Sequence, residues 1–385
     1  MKVIPITNEF RAWATVDLGA LLSNFAKARA YKPEANIVAV VKANAYGHGV
    51  QAIAQTLRAQ LTASDCFGVA SLDEALELRG AGIVESILLL EGVFSLAQLE
   101  QAIAHDLQLV IHSVFQLHML TQYLHEQPST RPLTVWLKID TGMHRLGFDA
   151  KEFAKAWLAL NGHPSIKKIV FMSHFACADD VTSDMSKRQI EYFMQALDAA
   201  AVPVSKREIS FAASSGIQLW PQAHFHWLRP GIMLYGGTAV MGEDALQRGI
   251  APVMTLRAKI IAIKTVSAGQ SVGYGASYIC PHEQRIGVVS IGYGDGYPRR
   301  MPAGTPVLVN CRSGSGVRQH RAALCGRVSM DMITIDLSDC AQAQVGDDVV
   351  LWGEGLPADE IARHCNTIAY ELFCQVTPRV HFVYS

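Results

Sequence analysis

The chain has 385 residues, a length that predicts roughly two or three domains and at least one large core. Half of the residues are hydrophobic and 17% are charged, which excludes disorder, collagen and coiled coil. Because 33 Lys and Arg residues stand against 34 Asp and Glu residues, the chain offers no basic face for nucleic acid. Any anionic ligand must therefore be met by a few placed cations.

The cysteines and the first residues indicate a reducing compartment. The eight cysteines include no Cys-x-x-Cys pair, so we expect reduced thiols, without disulfides and without a metal site. The start, MKVIPITNEF, lacks the apolar stretch of a signal peptide, and no apolar run reaches the ~18 residues of a membrane span. The sequence predicts a cytoplasmic protein with no membrane and no nucleic-acid partner.

Short β-branched runs alternate with helical patterns up to about residue 237. The predicted strands are Trp13–Val16, Ile37–Lys42, Phe67–Ser71, Ile87–Glu91, Leu109–His112, Val135–Asp140, Ile169–His174, Ile209–Ser214 and Ile232–Tyr235. The predicted helices between them include Gly49–Leu61, Leu72–Arg79, Phe115–Leu124 and Ser186–Ala200. If the first strand belongs to a second domain, the other eight predict a closed (β/α)8 barrel. A doubly wound open sheet is the alternative.

From about residue 250, Val, Ile and Thr runs are separated by Gly and Pro turns, a pattern typical of an antiparallel β domain. We therefore predict an α/β protein with a barrel over residues 1–245 and a β-rich domain over residues 246–385. This division allows residues 1–11 to pack on the second domain.

Polar residues stand at the carboxyl ends of the predicted barrel strands, where the catalytic residues of such barrels lie. They are Lys42, Ser71, Glu91, His112, Asp140, His174 and Ser214, with Arg229 and Gly231 at the eighth strand. Lys42 lies in AVVKANAYGHG and suits Schiff-base chemistry, whereas FAASSGI and LRPGIMLYG offer hydroxyls and backbone N–H groups for a phosphate. A lysine that traps an aldehyde beside a phosphate site predicts pyridoxal phosphate as the cofactor.

The chain resembles the alanine racemases, barrel-type pyridoxal-phosphate enzymes, over essentially its whole length. The motifs that carry this resemblance occur in the order of the family: AVVKANAYGHG, LKIDTGMHRLGF, MSHFA, LRPGIMLYG, VGYG, IGYGDGYP, GRVSMDM and TIAYEL. The resemblance implies a racemase that interconverts L-alanine and D-alanine with two bases. It also implies a head-to-tail homodimer with composite sites, and a role in D-alanine supply for peptidoglycan or in alanine catabolism.

The resemblance also implies a role for each matching residue. Lys42 resembles the lysine that holds the cofactor and serves as one base, and Tyr274 resembles the second base. Arg229 matches the arginine at the pyridine nitrogen, and His174 resembles the residue that links it to Tyr274. The positions that resemble phosphate contacts are Tyr46, Ser214, Gly231, Ile232 and Tyr370.

Arg145 and Met330 look like the contacts of the substrate carboxylate, and Lys138 resembles a lysine that is carbamylated to orient Arg145. The segments of Tyr274, Tyr293 and Met330-Asp331 come from the partner subunit in the family. Ala213 departs from the family pattern, which usually has Asn there. Gly273 departs as well, because Ser is frequent at that position.

Three alternatives share part of this pattern. Barrel-type decarboxylases place an acidic residue and a cysteine where this chain has Arg229 and Tyr274. Pyridoxal-phosphate carrier proteins lack the β domain. A serine or broad-spectrum racemase shares every catalytic residue named above and stays open.

Overall fold

The structure is a computed structural model that describes residues 10–127, 132–313 and 316–385. The chain forms two compact units, which contain residues 22–234 with 238–243, and residues 10–21 with 235–237 and 244–385. The expectation for residues 1–11 lies outside the described residues up to residue 9. Among the described residues, no helix has the length and apolarity needed to cross a bilayer.

The first unit is a closed barrel of parallel strands, as the sequence predicts. Its strands are Asn36–Val40, Cys66–Val69, Ile87–Leu89, Leu107–Ile111, Leu133–Lys138, Ile166–Met172, Ile209–Ala213 and Trp227–Arg229. The barrel closes where Asn36 and Ile37 pair with Trp227 and Leu228. The doubly wound open sheet is therefore excluded.

The predicted strand Ile232–Tyr235 is wrong. Residues Ile232–Leu234 form a 3-10 turn, and the eighth strand is Trp227–Arg229. Trp227 packs edge-to-face on Trp136, with ring centroids 4.9 Å apart, and this aromatic contact joins the fifth and eighth strands. Pro230 follows Arg229 and ends the strand because proline has no N–H to donate to a neighbouring strand.

Helices follow the barrel strands and begin at residues that cap them. Ser71, Ser95, Ser113 and Asp149 each accept a hydrogen bond from the backbone N–H three residues later. The helices of this part are Leu18–Ala30, Val50–Leu57, Leu72–Gly80, Leu96–Ala104, Val114–Glu126, Ala150–Leu160, Met185–Ala199 and Ser214–Leu219. Ser71 is thus a helix cap rather than a residue reserved for a ligand.

The second unit is a mostly antiparallel sheet, as predicted. Its main strands are Ala12–Val16, Met254–Val266, Gln284–Val289, Pro306–Ser313, Gly316–Leu324, Ile333–Asp336, Asp348–Trp352 and His381–Tyr384. The first predicted strand belongs to this sheet, where Ala12–Val16 pairs with Met254–Val266. Two short strands, Ser271–Val272 and Tyr278–Ile279, and two helices, Ala358–His364 and Ala369–Cys374, complete the unit.

Candidate functional site

A left-handed turn follows the first barrel strand and carries Lys42. Residues 43 to 46 all have φ of 53°, a region that costs a residue with a side chain roughly 1–2 kcal/mol. The Ala43 N–H donates to Glu74 Oε1 at 2.7 Å, and Asn44 Oδ1 accepts from the Val50 N–H at 2.7 Å. These bonds hold the strained turn, which keeps the half-buried Lys42 and the buried Tyr46 at one end of the barrel.

A group of hydrogen-bonding atoms surrounds Gly231 at the end of the eighth strand. A Cβ atom at Gly231 would lie 2.5 Å from Tyr46 Oη and 3.9 Å from Ser214 Oγ, so this position has no room for a side chain. Ser214 Oγ accepts from the Gly231 N–H at 3.0 Å and from the Met233 N–H at 3.4 Å. Two hydroxyls and the backbone that leads into Ile232 thus form a small cradle of the kind that binds phosphate.

Arg229 is buried, and its hydrogen-bond partners among the described residues are neutral groups. Its partners are Ser210 Oγ at 2.6 Å, Ser173 O at 2.7 Å, Phe211 O at 3.0 Å and His174 Nδ1 at 3.2 Å. Burial lowers the pKa of Arg229 to about 9. Because a guanidinium has no acceptor, His174 must accept through Nδ1 and carry its proton on Nε2.

Positive charge gathers at this end of the barrel. Burial holds the pKa of His174 well below its usual value, and four cations add to this effect: Arg229, Lys138, Arg145 and Lys42. Burial also lowers the pKa of Lys138 to about 8, helped by Arg229 and Arg145 and opposed by Asp140. In a chain of net charge −1, such a concentration of cations suits phosphate and carboxylate ligands.

Lys138 and Arg145 lie on the segment that leaves the fifth strand. Lys138 is buried and forms no ion pair within the part of the chain that is described. Arg145 is exposed, in a loop that Asp140 holds by accepting from the Gly142 N–H at 2.9 Å and from the His144 N–H at 3.0 Å. His112, at the end of the fourth strand, instead contacts the Glu91 carbonyl at 3.1 Å.

Three segments of the second unit present large side chains to solvent. Tyr274 is 67% exposed, Met330 is 52% exposed and Tyr293 is 38% exposed. The Tyr293 N–H donates to Ser329 O at 3.0 Å, and the Gly294 N–H donates to Met330 O at 2.9 Å. A Cβ atom at Gly275 would lie 3.0 Å from Arg327 Nη1, so the Tyr274 segment borders the same strand connection. The three motifs therefore lie side by side.

A buried carboxylate joins the segments of Tyr293 and Met330, and the sequence analysis did not identify it. Asp295 accepts from Arg11 Nη1 at 2.7 Å and pairs with Arg379 Nε at 3.2 Å. Arg379 Nη2 also donates to Asp331 Oδ1 at 2.6 Å, and Arg11 Nη2 donates to Asp331 O at 2.7 Å. Asp295 lies in the IGYGDGYP motif, which could have marked it, whereas nothing in the sequence marks Arg11 or Arg379.

Two further predicted positions have a clear place in the fold. Tyr370 is half-buried on the helix Ala369–Cys374 of the second unit. Ala213 is the residue before the helix Ser214–Leu219 and provides no side-chain cap there. An asparagine, the usual residue of the family, would supply an acceptor for the first N–H groups of that helix.

The chain is similar to known alanine racemases over nearly its whole length. The family models "Alanine racemase, N-terminal domain" and "Alanine racemase, C-terminal domain" match residues 16–239 and 253–384. A curated alanine racemase of Vibrio parahaemolyticus is 43% identical over 375 residues, which are 97% of this chain and 99% of that protein.

Solved structures give the same result. The biosynthetic alanine racemase of Pseudomonas aeruginosa has a TM-score of 0.89 and 44% identity, covering 98% of this chain and 99% of its own. The alanine racemase of Bartonella henselae, described with covalently bound pyridoxal phosphate, has a TM-score of 0.84 and 28% identity, covering 97% of this chain and 99% of its own. The chain therefore belongs to the alanine racemase family, whose members are isomerases.

Proposed function

We propose that this chain interconverts L-alanine and D-alanine with pyridoxal 5'-phosphate as its cofactor. The observation that carries the proposal is the meeting of Lys42, the cradle at Gly231 and the buried Arg229 at one end of the barrel. A lysine amine, phosphate donors and a cation for the ring nitrogen are the groups that this cofactor requires.

The residues fit the cofactor in shape and charge. The phosphate would be held by Tyr46, Ser214, the backbone of Gly231 and Ile232, and Tyr370. Because Gly231 has no Cβ, the Tyr46 hydroxyl can lie close to the backbone that leads into Ile232. Lys42 would hold the aldehyde carbon, and Arg229 would face the pyridine nitrogen.

When bound, pyridoxal phosphate withdraws electrons from the substrate and so acidifies its Cα proton. Arg229 stays protonated at neutral pH even with its pKa lowered to about 9, so it donates a hydrogen bond without giving up a proton. It therefore limits this electron withdrawal, which favours return of the proton to Cα. A carboxylate at this position, as in the decarboxylases, would strengthen the withdrawal instead.

Two bases on opposite faces of the substrate would invert the configuration of its Cα atom. Lys42 Nζ would remove or return the Cα proton on one face, and Tyr274 Oη of the partner subunit would do so on the other. His174 supports this assignment because its Nε2 carries the proton and could donate to a phenol oxygen.

Arg145 and the Met330 backbone would bind the substrate carboxylate, and a carbamate on Lys138 would orient Arg145. The surroundings of Lys138 support this modification. Its pKa of about 8 leaves a sizeable neutral fraction of the amine near neutral pH, and only a neutral amine reacts with carbon dioxide. A carbamate would also place a negative charge among Arg229, Arg145 and Lys42.

We infer that a second copy of the chain completes each site. Tyr274, Tyr293 and Met330 form an exposed, partly apolar group of a kind that marks an interaction surface. In this head-to-tail homodimer the same group, with Asp331, would enter the site of the partner subunit. The cytoplasm is the proposed location, and supply of D-alanine for peptidoglycan or alanine catabolism is the proposed role.

Labelling of Lys42 tests the proposal. Borohydride reduction of the purified holoenzyme, followed by peptide mapping, should place the pyridoxyl group on Lys42. Lys138, the other lysine of the site, should remain unlabelled. A pyridoxyl group on Lys138 or on any other lysine would overturn the assignment.

A comparison of substrates distinguishes an alanine-specific racemase from a broad-spectrum one. L-alanine, L-serine and L-lysine are assayed side by side with the same enzyme preparation. We expect alanine to be turned over fastest, serine more slowly and lysine very poorly. Comparable rates with lysine and alanine would assign the chain to the broad-spectrum racemases.

A further inference from the structure

Cys311, His320 and Cys340 form a cluster in the second unit that the proposed reaction does not use. Their possible ligand atoms all lie within 4.8 Å of one another. Within residues 10–127, 132–313 and 316–385, this is the one group of three His, Cys, Asp or Glu side chains with such spacing. None of the three belongs to a family motif quoted above.

The strand register explains how the three side chains meet. In the hairpin of Pro306–Ser313 and Gly316–Leu324, His320 pairs with Val309 and Cys311 pairs with Arg318. Cys311 and His320 are therefore diagonal neighbours on the same face of the sheet.

Cys340 reaches this face from a turn that follows the strand Ile333–Asp336. Its N–H donates to Leu337 O at 2.9 Å, and Arg285 Nη1 donates to its carbonyl at 2.7 Å. The cluster thus draws its members from three segments of the chain, and the turn that carries Cys340 is fixed by hydrogen bonds.

The contacts within the cluster leave one polar atom unexplained. The Sγ atoms of Cys311 and Cys340 are 3.1 Å apart, and both residues are buried. His320 Nε2 is buried as well and has no hydrogen-bond partner among the described residues. A buried nitrogen without a partner destabilises the folded chain, so a ligand that binds it would remove this penalty.

We propose that Cys311, His320 and Cys340 bind one soft divalent metal ion, with Zn²⁺ as the typical case. Two sulfurs and one imidazole nitrogen are preferred zinc ligands, and they leave the fourth tetrahedral position to water. On binding, the two thiols release their protons to solvent and coordinate as thiolates, which neutralise the charge of the ion. His320 coordinates through the lone pair of Nε2 while its other nitrogen keeps the proton.

The cluster needs a small adjustment to accept the ion. Zn–S bonds of about 2.3 Å at tetrahedral angles set the two sulfurs about 3.8 Å apart, so they must separate by about 0.7 Å. A disulfide between Cys311 and Cys340 is the alternative interpretation of this cluster. It would leave His320 Nε2 without a partner and would need an oxidant, whereas a metal ion explains all three side chains.

Such an ion would tie the hairpin to the turn of Cys340. Because the folded chain binds it and the unfolded chain does not present the same site, the ion should stabilise the protein. We expect it to change the thermal stability of the enzyme and to leave the rate of racemisation unaltered.

Zinc binding to the intact holoenzyme tests the proposal. The protein is dialysed against a chelator and titrated with Zn²⁺, and the bound metal per chain is measured by inductively coupled plasma mass spectrometry. One zinc ion per chain should bind to the original protein, and its melting temperature should rise. His320→Gln should lower zinc affinity at least about 100-fold, because loss of even a supporting group often costs 10–100-fold.

Cys325→Ser is the matched control, since Cys325 is another buried thiol of the same unit. It should still bind one zinc ion and show the same rise in melting temperature. If Cys311→Ser or Cys340→Ser fails to fold, His320→Gln still decides, because it keeps both thiols. Equal zinc affinity of His320→Gln and the original protein would overturn the site. Absence of zinc binding to the original protein would also overturn it, and an oxidisable Cys311–Cys340 pair would then favour a disulfide.

Discussion

The guanidinium of Arg229 determines which nitrogen of His174 carries the proton. Arg229 can only donate, so it forces His174 to accept through Nδ1, and burial, together with four nearby cations, keeps that imidazole neutral. A neutral imidazole with its proton on Nε2 can donate to a phenol oxygen without delivering a full charge. This arrangement suits a tyrosine that must both release and regain a proton.

Tyr274→Phe tests the two-base assignment at the scale of one hydroxyl. We expect the variant to lose Cα proton exchange from L-alanine by roughly 10²–10⁴-fold, the typical contribution of a positioned acid–base group. Exchange from D-alanine should persist, because Lys42 can remove and return a proton on its own face. Deuterium incorporation into each enantiomer in D₂O, followed by mass spectrometry, measures both rates. Equal loss from both enantiomers would refute two separate bases.

At the scale of elements, the segments that follow the first and the eighth barrel strands contact each other at Gly231. The left-handed turn after the first barrel strand brings the Tyr46 hydroxyl to within 2.5 Å of the position that a Cβ at Gly231 would occupy. We expect Gly231→Ala to displace Tyr46 and weaken cofactor binding at least about tenfold, equivalent to roughly 1.4 kcal/mol. Retention of the cofactor during dialysis measures the change.

Gly80→Ala is the control for that substitution. Gly80 ends the helix Leu72–Gly80, and a Cβ there meets nothing within 4 Å. The control should hold its cofactor as the original protein does. Unchanged cofactor affinity in Gly231→Ala would show that the cradle does not bind the phosphate.

Asp295 also links elements, because it joins the segments of Tyr293 and Met330 through Arg11 and Arg379. We expect Asp295→Asn to destabilise the protein by about 1–3 kcal/mol, because a fully buried carboxylate loses its charge while its arginines keep access to solvent. Looser segments should raise the KM for alanine more than they lower kcat. Thermal unfolding and steady-state kinetics measure the two effects.

Asp348→Asn provides the comparison for Asp295→Asn. Asp348 pairs with Lys259 at 2.8 Å in the same unit, and its strand partners are Lys259 and Asn310 rather than residues of the three exposed segments. It should lose some stability with an unchanged KM. A KM that rises equally in both variants would attribute the effect to general destabilisation.

The homodimer is a prediction about the whole molecule. Lys42→Ala and Tyr274→Phe should each be nearly inactive alone. A mixture that has exchanged subunits should regain activity, because a heterodimer holds one site with both bases intact. Activity after mixing, together with proof of exchange by native mass spectrometry, measures the outcome. Absence of recovery despite proven exchange would contradict composite sites.

The sequence by itself determined the architecture and the candidate residues of the barrel site. Alternation of apolar strands with capped helices is a local property, so the predicted barrel and the antiparallel sheet are both confirmed. The site residues on the barrel follow from the same pattern, because residues that follow parallel strands must share one end of a barrel. Lys42 and His174 could therefore be proposed as site residues without coordinates, whereas Arg229 precedes the predicted strand Ile232–Tyr235 and its role rests on the family resemblance.

Tertiary structure decided what depends on contacts between distant segments. The eighth strand is Trp227–Arg229 because its register against the first strand closes the barrel, and the apolar run Ile232–Tyr235 carries no sign that it turns instead. Arg11 and Asp295 are 284 positions apart, and their pairing follows only from the strand order of the second sheet. Cys311, His320 and Cys340 meet for the same reason, since the register of a hairpin and the place of a turn are fixed by packing across the sheet and not by sequence spacing.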